Sequence, residues 1–430
     1  MRFACALIGL TFLSGGAEAQ DFKFDPSEIE PKAYEVSGFA EARGEHYFLD
    51  RDAAFYRLTD PTGRDGNHNE RGVGKLELSG LYRAGMLSAF ARGKAEGDID
   101  ANDDESSDLK LLEGGVTLQP RTGLSLDVGK KALKWGKGYA WSPVGFVERA
   151  KDPSDPDLSR EGFWMAHGDG TWTYDGPVRA FGVSTVVLPV STAMNEDFGR
   201  EDSVNIAGKF YFLAYDTDID IMALASGTRS TRYGADFSRN LASNLEIHGE
   251  WAWVEDSERR VLGPTQTPLL KRHDAMNWLV GGRYLTESET TFILEYYRNG
   301  GGFTEREGDD FFSFADQAVD SYLQTGSYST LGRANTLAQG GFAKQNPFRD
   351  YLYARVSQKD PFDILYVTPA LTAIVNVNDR SLNLSPEIVY TGFTDWDVRL
   401  KGIANFGEDG TEFGEKQAAA RIELRVRRFF

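Results

Sequence analysis

The feature that most narrows what this chain can fold into lies at its C-terminal end, where every second residue is apolar. Ala418, Ala420, Ile422, Leu424 and Val426 alternate with Gln417, Arg421, Glu423, Arg425 and Arg427. Side chains of a strand point alternately to its two faces, so this segment has one oily face and one charged face. The pattern recurs upstream. Leu76, Leu78, Gly80 and Tyr82 alternate with Lys75, Glu77, Ser79 and Arg83; Leu245, Ile247, Gly249, Trp251 and Trp253 with Glu246, His248 and Glu250; Trp396, Val398 and Leu400 with Asp397, Arg399 and Lys401. A soluble sandwich also yields such strands, so their number and spacing must decide. A β-propeller would show four-stranded repeats of similar sequence, and the chain has no such repeat.

Read this way, the chain holds about eighteen strands, from 34–48 to 416–430. Tight turns such as Ala84-Gly85, Pro120-Arg121-Thr122-Gly123 and Asp216-Thr217 alternate with longer links at 49–70, 98–108, 135–161, 190–202, 257–272, 300–345 and 408–415. An even number of strands with short turns at one rim and long loops at the other is the signature of an all-β, antiparallel transmembrane barrel. Beyond the first twenty residues no apolar run approaches the roughly 20 residues of a membrane-spanning helix. Residues 1–19 read as a signal peptide: Arg2 precedes the apolar stretch Phe3 to Leu13, and Ala17-Glu18-Ala19 forms a small-residue exit. Residues 20–33 then form a short N-terminal segment and 34–430 the barrel. The single cysteine, Cys5, lies in the signal, so the mature chain has neither disulfides nor thiolate metal sites.

The chain ends on Phe429-Phe430, which resembles the C-terminal signal of outer-membrane barrels, although Arg428 stands near where an apolar or aromatic residue is usual. Gly129-Lys130-Lys131, Trp135-Gly136-Lys137-Gly138, Ser142-Pro143-Val144 and Asp152-Pro153-Ser154-Asp155-Pro156 together resemble a strand-to-loop segment of outer-membrane porin-like proteins. Strand number and loop length resemble the larger specific porins and the alginate-export family of Gram-negative bacteria. The resemblance implies an outer-membrane location with both termini periplasmic. It implies contact with outer-membrane lipid and lipopolysaccharide, and delivery by the barrel-assembly machinery through the C-terminal strand.

A wide barrel leaves an aqueous lumen unless loops fill it, so function is sought in wall charges and inward loops. The chain is acidic, with a formal net charge of -18, yet alternation assigns many bases to the lumen. Lys75, Arg83, Arg92, Arg399, Lys401, Arg421, Arg425 and Arg427 lie on strands that meet where the barrel closes, and with Arg43 they form a basic ladder. Such a ladder attracts anions at successive heights; the alternative is mutual pairing with lumen acids. The loop at 135–161 carries Trp135, Lys137, Tyr139, Trp141, Phe146, Glu148 and Arg149, more aromatics than a solvated loop holds, and is read as the constriction. Phe311, Phe314, Ala315, Ala318 and Tyr322 predict a short amphipathic helix over 309–324, a lid or a loop-packing element. Asp98, Asp100, Asn102 and Asp104 have calcium-loop spacing but lack the glycine and the final glutamate. The five histidines are scattered with no nucleophile motif, so catalysis, metals and cofactors are not expected, nor is nucleic-acid binding. The sequence therefore predicts a passive channel for hydrophilic anionic solutes, either small carboxylates or an acidic polysaccharide. The alternative is a plugged barrel serving as scaffold or assembly partner.

Overall fold

The computed structural model describes residues 32–430 except 65, 102–104, 156–159, 200 and 228; the signal peptide and most of the N-terminal segment lie outside the described residues. Eighteen strands form one antiparallel sheet in which each strand pairs with its sequence neighbours. They are β1 (Tyr34–Leu49), β2 (His68–Ala84), β3 (Leu87–Asp100), β4 (Glu105–Arg121), β5 (Leu124–Lys131), β6 (Phe163–Thr173), β7 (Val178–Val190), β8 (Ser203–Ala214) and β9 (Thr217–Ser226) in the first half. The second half holds β10 (Arg232–Ala242), β11 (Leu245–Leu262), β12 (Pro268–Leu285), β13 (Thr290–Arg298), β14 (Asp350–Gln358), β15 (Val367–Asn376), β16 (Leu382–Tyr390), β17 (Trp396–Phe406) and β18 (Ala418–Phe429). The sheet closes where β1 pairs with β18, in a register running from Phe39 opposite Phe429 to Leu49 opposite Ala418. Closure removes the two free edges that an open sheet would leave.

The two faces sort as the alternation requires. Leu76, Leu78, Val128, Ile206, Ile221, Leu294, Leu400, Ile422 and Leu424 point outward and are exposed, whereas Glu41, Glu77, Asp127, Asp220, Arg399 and Glu423 point inward and are buried. An apolar outer belt on a closed sheet, each strand hydrogen-bonded to two neighbours, is the arrangement that spans a bilayer. Among the described residues no helix is long and apolar enough to cross a membrane.

Short turns gather at one rim, with both barrel ends, and long loops at the other. The β11–β12 hairpin runs past its predicted end, because Ser257 to Leu262 pair with Pro268 to His273 although much of that stretch is polar. The predicted helix is present as α2 (Glu305–Thr325), preceded by an unpredicted α1 (Ala54–Thr59) and followed by an unpredicted α3 (Tyr328–Leu337). Helix α2 starts on a capping box: the Thr304 hydroxyl accepts from Glu307 N, while the Glu307 carboxylate accepts from Thr304 N. Residues 363–366 belong to the turn before β15. Asp360, Phe362, Asp363 and Tyr366 there all have positive φ, which breaks strand pairing.

Two clusters of apolar side chains lie inside the loop rim. One cluster lies under the helices and joins Phe311, Phe314, Ala318, Phe342, Phe348, Tyr351, Tyr353 and Trp141. The other lies under the long β5–β6 loop and joins Trp135, Val144, Phe146, Phe163, Met165, Val186 and Leu188. Tyr351 and Tyr353 on β14 point inward but are core residues, with 0% and 1% exposure.

Candidate channel lumen

The β5–β6 loop, 132–162, enters the lumen and touches several walls. At its tip Gly136, Gly138 and Ala140 alternate with Lys137, Tyr139 and Trp141, and the small residues let backbone amides approach carboxylates closely. The Glu250 carboxylate on β11 accepts from the amides of Lys137 at 2.7 Å, Gly138 at 2.6 Å and Val144 at 3.2 Å. The Glu295 carboxylate on β13 accepts from Tyr139 N and, at 2.8 Å, from Ala140 N. A Cβ at position 138 would sit 2.4 Å from the Trp141 carbonyl oxygen, so glycine is required there. Lys137 extends to the acidic wall, with Nζ 2.8 Å from Asp220 and 3.8 Å from Asp236. Trp141 stacks on Tyr297 at 5.2 Å and donates from Nε1 to Asn346. Glu148 pairs with Arg160 at 2.8 Å and Arg149 with Asp197.

On its return the loop meets the opposite wall. Arg399 on β17 donates to both carboxylate oxygens of Asp155 at 3.2 Å. Burial raises the Asp155 pKa, but the Arg399 fork outweighs it and holds the carboxyl below its ordinary value. Lys401 donates to the Ser154 carbonyl. Lys151, nearer the middle of the loop, donates to the Gly138 carbonyl, and burial holds its ammonium below the ordinary lysine value.

The ladder bases lie on neighbouring strands where the barrel closes, and acids interleave with them. Arg427 pairs with Glu41 at 2.7 Å and Arg421 with Glu45 at 3.3 Å. Arg399 pairs with Glu423 at 2.9 Å, Lys75 with Glu77 at 3.1 Å and Arg92 with Glu113 at 3.0 Å. Arg83 sits at the turn rim, half exposed, on Glu35 at 2.6 Å. Arg425 is the least satisfied. It stands in one row with Arg399 and Arg43, reaches Glu41 only at 4.0 Å, and its Nε has no hydrogen-bond partner among the described residues.

Sequence reading missed a three-strand network lower in the lumen. His167 on β6 lies 2.9 Å from Asp127 on β5 and 2.9 Å from Ser184 on β7. The order acid, imidazole, hydroxyl is that of a nucleophilic triad. Ser184 and its neighbours, however, lie on strands whose amides are engaged in sheet pairing, so none is free to form an oxyanion hole. Asp127 is also tied to Lys131 at 2.6 Å. The network cross-ties the wall. Its only sequence signal was one polar inward residue on each of three adjacent strands. Among the described residues no group of metal-binding side chains converges. Asp98, the first of the calcium-spaced acids, pairs with Arg71 at 3.1 Å and accepts from Ser106, while 102–104 lie outside the described residues.

No protein-family model matches the sequence, and no curated protein matches it. Solved structures do match along nearly the whole chain. OccK11 (OpdR) of Pseudomonas aeruginosa superposes with a TM-score of 0.53 at 11% identity, over 92% of this chain and 95% of that one. OccK5 (OpdH) of the same organism gives 0.52 at 12% identity, over 92% and 98%. Wzi, an outer membrane protein of Escherichia coli involved in group 1 capsule assembly and a carbohydrate-binding β-barrel, gives 0.52 at 8% identity, over 92% and 84%. The chain has the outer-membrane β-barrel fold. At such identities the shared property is the barrel itself, and the charged contacts described above belong to this sequence.

Proposed function

We propose that the protein is an outer-membrane channel for hydrophilic, anionic solutes, with the 132–162 loop as its constriction. On this reading the turn rim and both termini face the periplasm and the long loops face outward. The single observation that carries the reading is the loop's double attachment: Lys137 holds it to the acidic wall and Asp155 to Arg399 on the other side. A loop fixed to both walls narrows the passage without closing it by covalent structure. Residual selectivity for anions is assigned to the cavities flanking the loop. One of them, of about 240 Å³, is lined by Lys134, Lys137, Lys151 and Arg160 against Asp152 and Asp155. The ladder bases, each beside an acid or a carbonyl, contribute fixed dipoles and local relays more than net charge.

The test is the reversal potential of the refolded barrel in a planar bilayer across a salt gradient. An anion-selective current supports the reading. A cation-selective current overturns the selectivity. A folded barrel with no current favours the second reading, a sealed barrel serving a partner, for which the two apolar clusters inside the loop rim speak.

A further inference from the structure

Above the loop lies a second and larger cavity of about 610 Å³, within the 300–1,000 Å³ range of small-molecule sites. Its lining carries five bases, Arg149, Lys151, Arg229, Arg232 and Lys344, against two acids, Glu148 and Asp197. Both acids are already engaged, Glu148 with Arg160 and Asp197 with Arg149. Among the described residues four of the bases, Lys151, Arg229, Arg232 and Lys344, have no carboxylate partner, and three of them lie close to the loop and β10. Arg229 donates to the Phe198 and Asp197 carbonyls and lies over the Phe198 ring at 3.7 Å. Lys151 donates to the Gly138 carbonyl. Arg232, on β10, points into the lumen beneath them, and its Nε has no hydrogen-bond partner among the described residues.

An enclosed guanidinium without an anion is costly, since its lost hydration is repaid only by a counter-charge with good geometry. A guanidinium fork fits a carboxylate bidentately. We propose that this cavity is a binding site for a hydroxylated organic carboxylate, whose carboxylate seats on Arg232 with Arg229 and Lys151 beside it. The amides of Asn277 and Asn299 and the Ser142 hydroxyl on the same lining suit the hydroxyls. Lys151 has a second role. Among the described residues it alone lines both this cavity and the smaller one beyond the loop. An anion in the outer cavity draws Lys151 Nζ away from the Gly138 carbonyl, which lines the inner cavity, and is carried inward when the ammonium returns to it, so Lys151 passes the ligand between the two.

The inference rests on the channel reading for its direction of transfer, but binding is measured apart from conduction. Sodium gluconate, with glucose as the neutral control, is titrated calorimetrically into the refolded full chain in detergent at fixed ionic strength. The expected result is saturable binding of gluconate and none of glucose, weakened tenfold or more in Arg232→Met and less in Arg232→Lys. The lysine variant keeps the charge, so it also serves should the methionine variant fail to fold. Gluconate binding unchanged in Arg232→Met, or no saturable binding by wild type, overturns the site while leaving the channel standing. Arg232-dependent binding by a barrel that passes no current supports the site and removes the channel. For the transfer step, Lys151→Met is expected to slow gluconate flux into liposomes at least fivefold; unchanged flux overturns that role.

Discussion

Lys137 Nζ and Asp220 Oδ2, 2.8 Å apart, join the tip of an inward loop to the acidic wall at β9, and the Asp220 side chain is fully buried. Lys209 approaches the same carboxylate at 3.5 Å and Asp236 lies beside it. Removing one partner of a buried pair leaves the other charge stranded, which typically costs about 3–5 kcal/mol. Because the Lys137 side chain is 24% exposed, Lys137→Met is expected near the lower figure, about 3 kcal/mol. The heat-modifiable shift of the barrel on gels should move to lower temperature, and Lys137→Met with Asp220→Asn should recover part of the loss. Full stability in the single variant would show that the pair does not anchor the loop.

The interleaving of bases and acids near β18 leads to a sharper outcome than loss of selectivity. Arg421, Arg425 and Arg427 changed together to Ser leave Glu41, Glu45 and Glu423 in the lumen with fewer counter-charges. The reversal potential should therefore shift toward cations and change sign. An unchanged reversal potential would show that ions pass without sensing this wall.

Glu412, in the β17–β18 loop, accepts from Tyr351 Oη at 2.6 Å and from Asn376 at 3.0 Å. Burial raises its pKa from the ordinary 4.5 to about 7, and burial likewise raises Glu415 beside it. A carboxyl with a higher pKa folded than unfolded binds more protons in the folded state between those values. Its contribution to stability is thus full below pH 4.5 and declines as pH rises toward 7. Hydrogen exchange across 406–418, corrected for the intrinsic pH effect, should be slower at pH 5 than at pH 8. Glu412→Gln should flatten that difference. An equal pH response in the variant would assign the effect elsewhere.

The His167 network is expected to be structural. Ser184→Ala removes one hydrogen bond to a buried imidazole and should cost about 1 kcal/mol, read as a lowered unfolding midpoint. Hydrolysis of p-nitrophenyl acetate by wild type and variant should be equal. A rate that falls with Ser184 would make the hydroxyl a nucleophile.

Much of the barrel was legible in the sequence because a membrane strand writes its environment twice, outward in Leu76, Ile422 and Leu424 and inward in Glu77, Glu423 and Arg425. All eighteen strands fall where alternation places them, and the errors concentrate where lipid no longer selects one face. Arg259 and Arg260 extend β11 beyond the apolar belt, so no oily face marked them as strand. Helix α3 has a weak apolar stripe and is held by Leu331, Ala334 and Leu337 against its neighbours. The partners of the inward bases were not legible at all. Arg399 meets Asp155, and Lys137 meets Asp220, across the lumen, and no local spacing encodes a contact made by closure. The same reason hid the cavity at Arg232: the sequence shows an arginine on a wall, while its want of a partner is a property of the assembled interior.

The Asp155–Arg399 contact spans 244 positions of sequence, and β1 meets β18 across nearly the whole barrel sequence. Both partners of the clasp come together only when the sheet closes. The contact between the loop and β17 therefore cannot form ahead of the wall that holds it. Refolding in vesicles should show sheet formation ahead of the burial of Trp141, with the lumen widest in the interval between them.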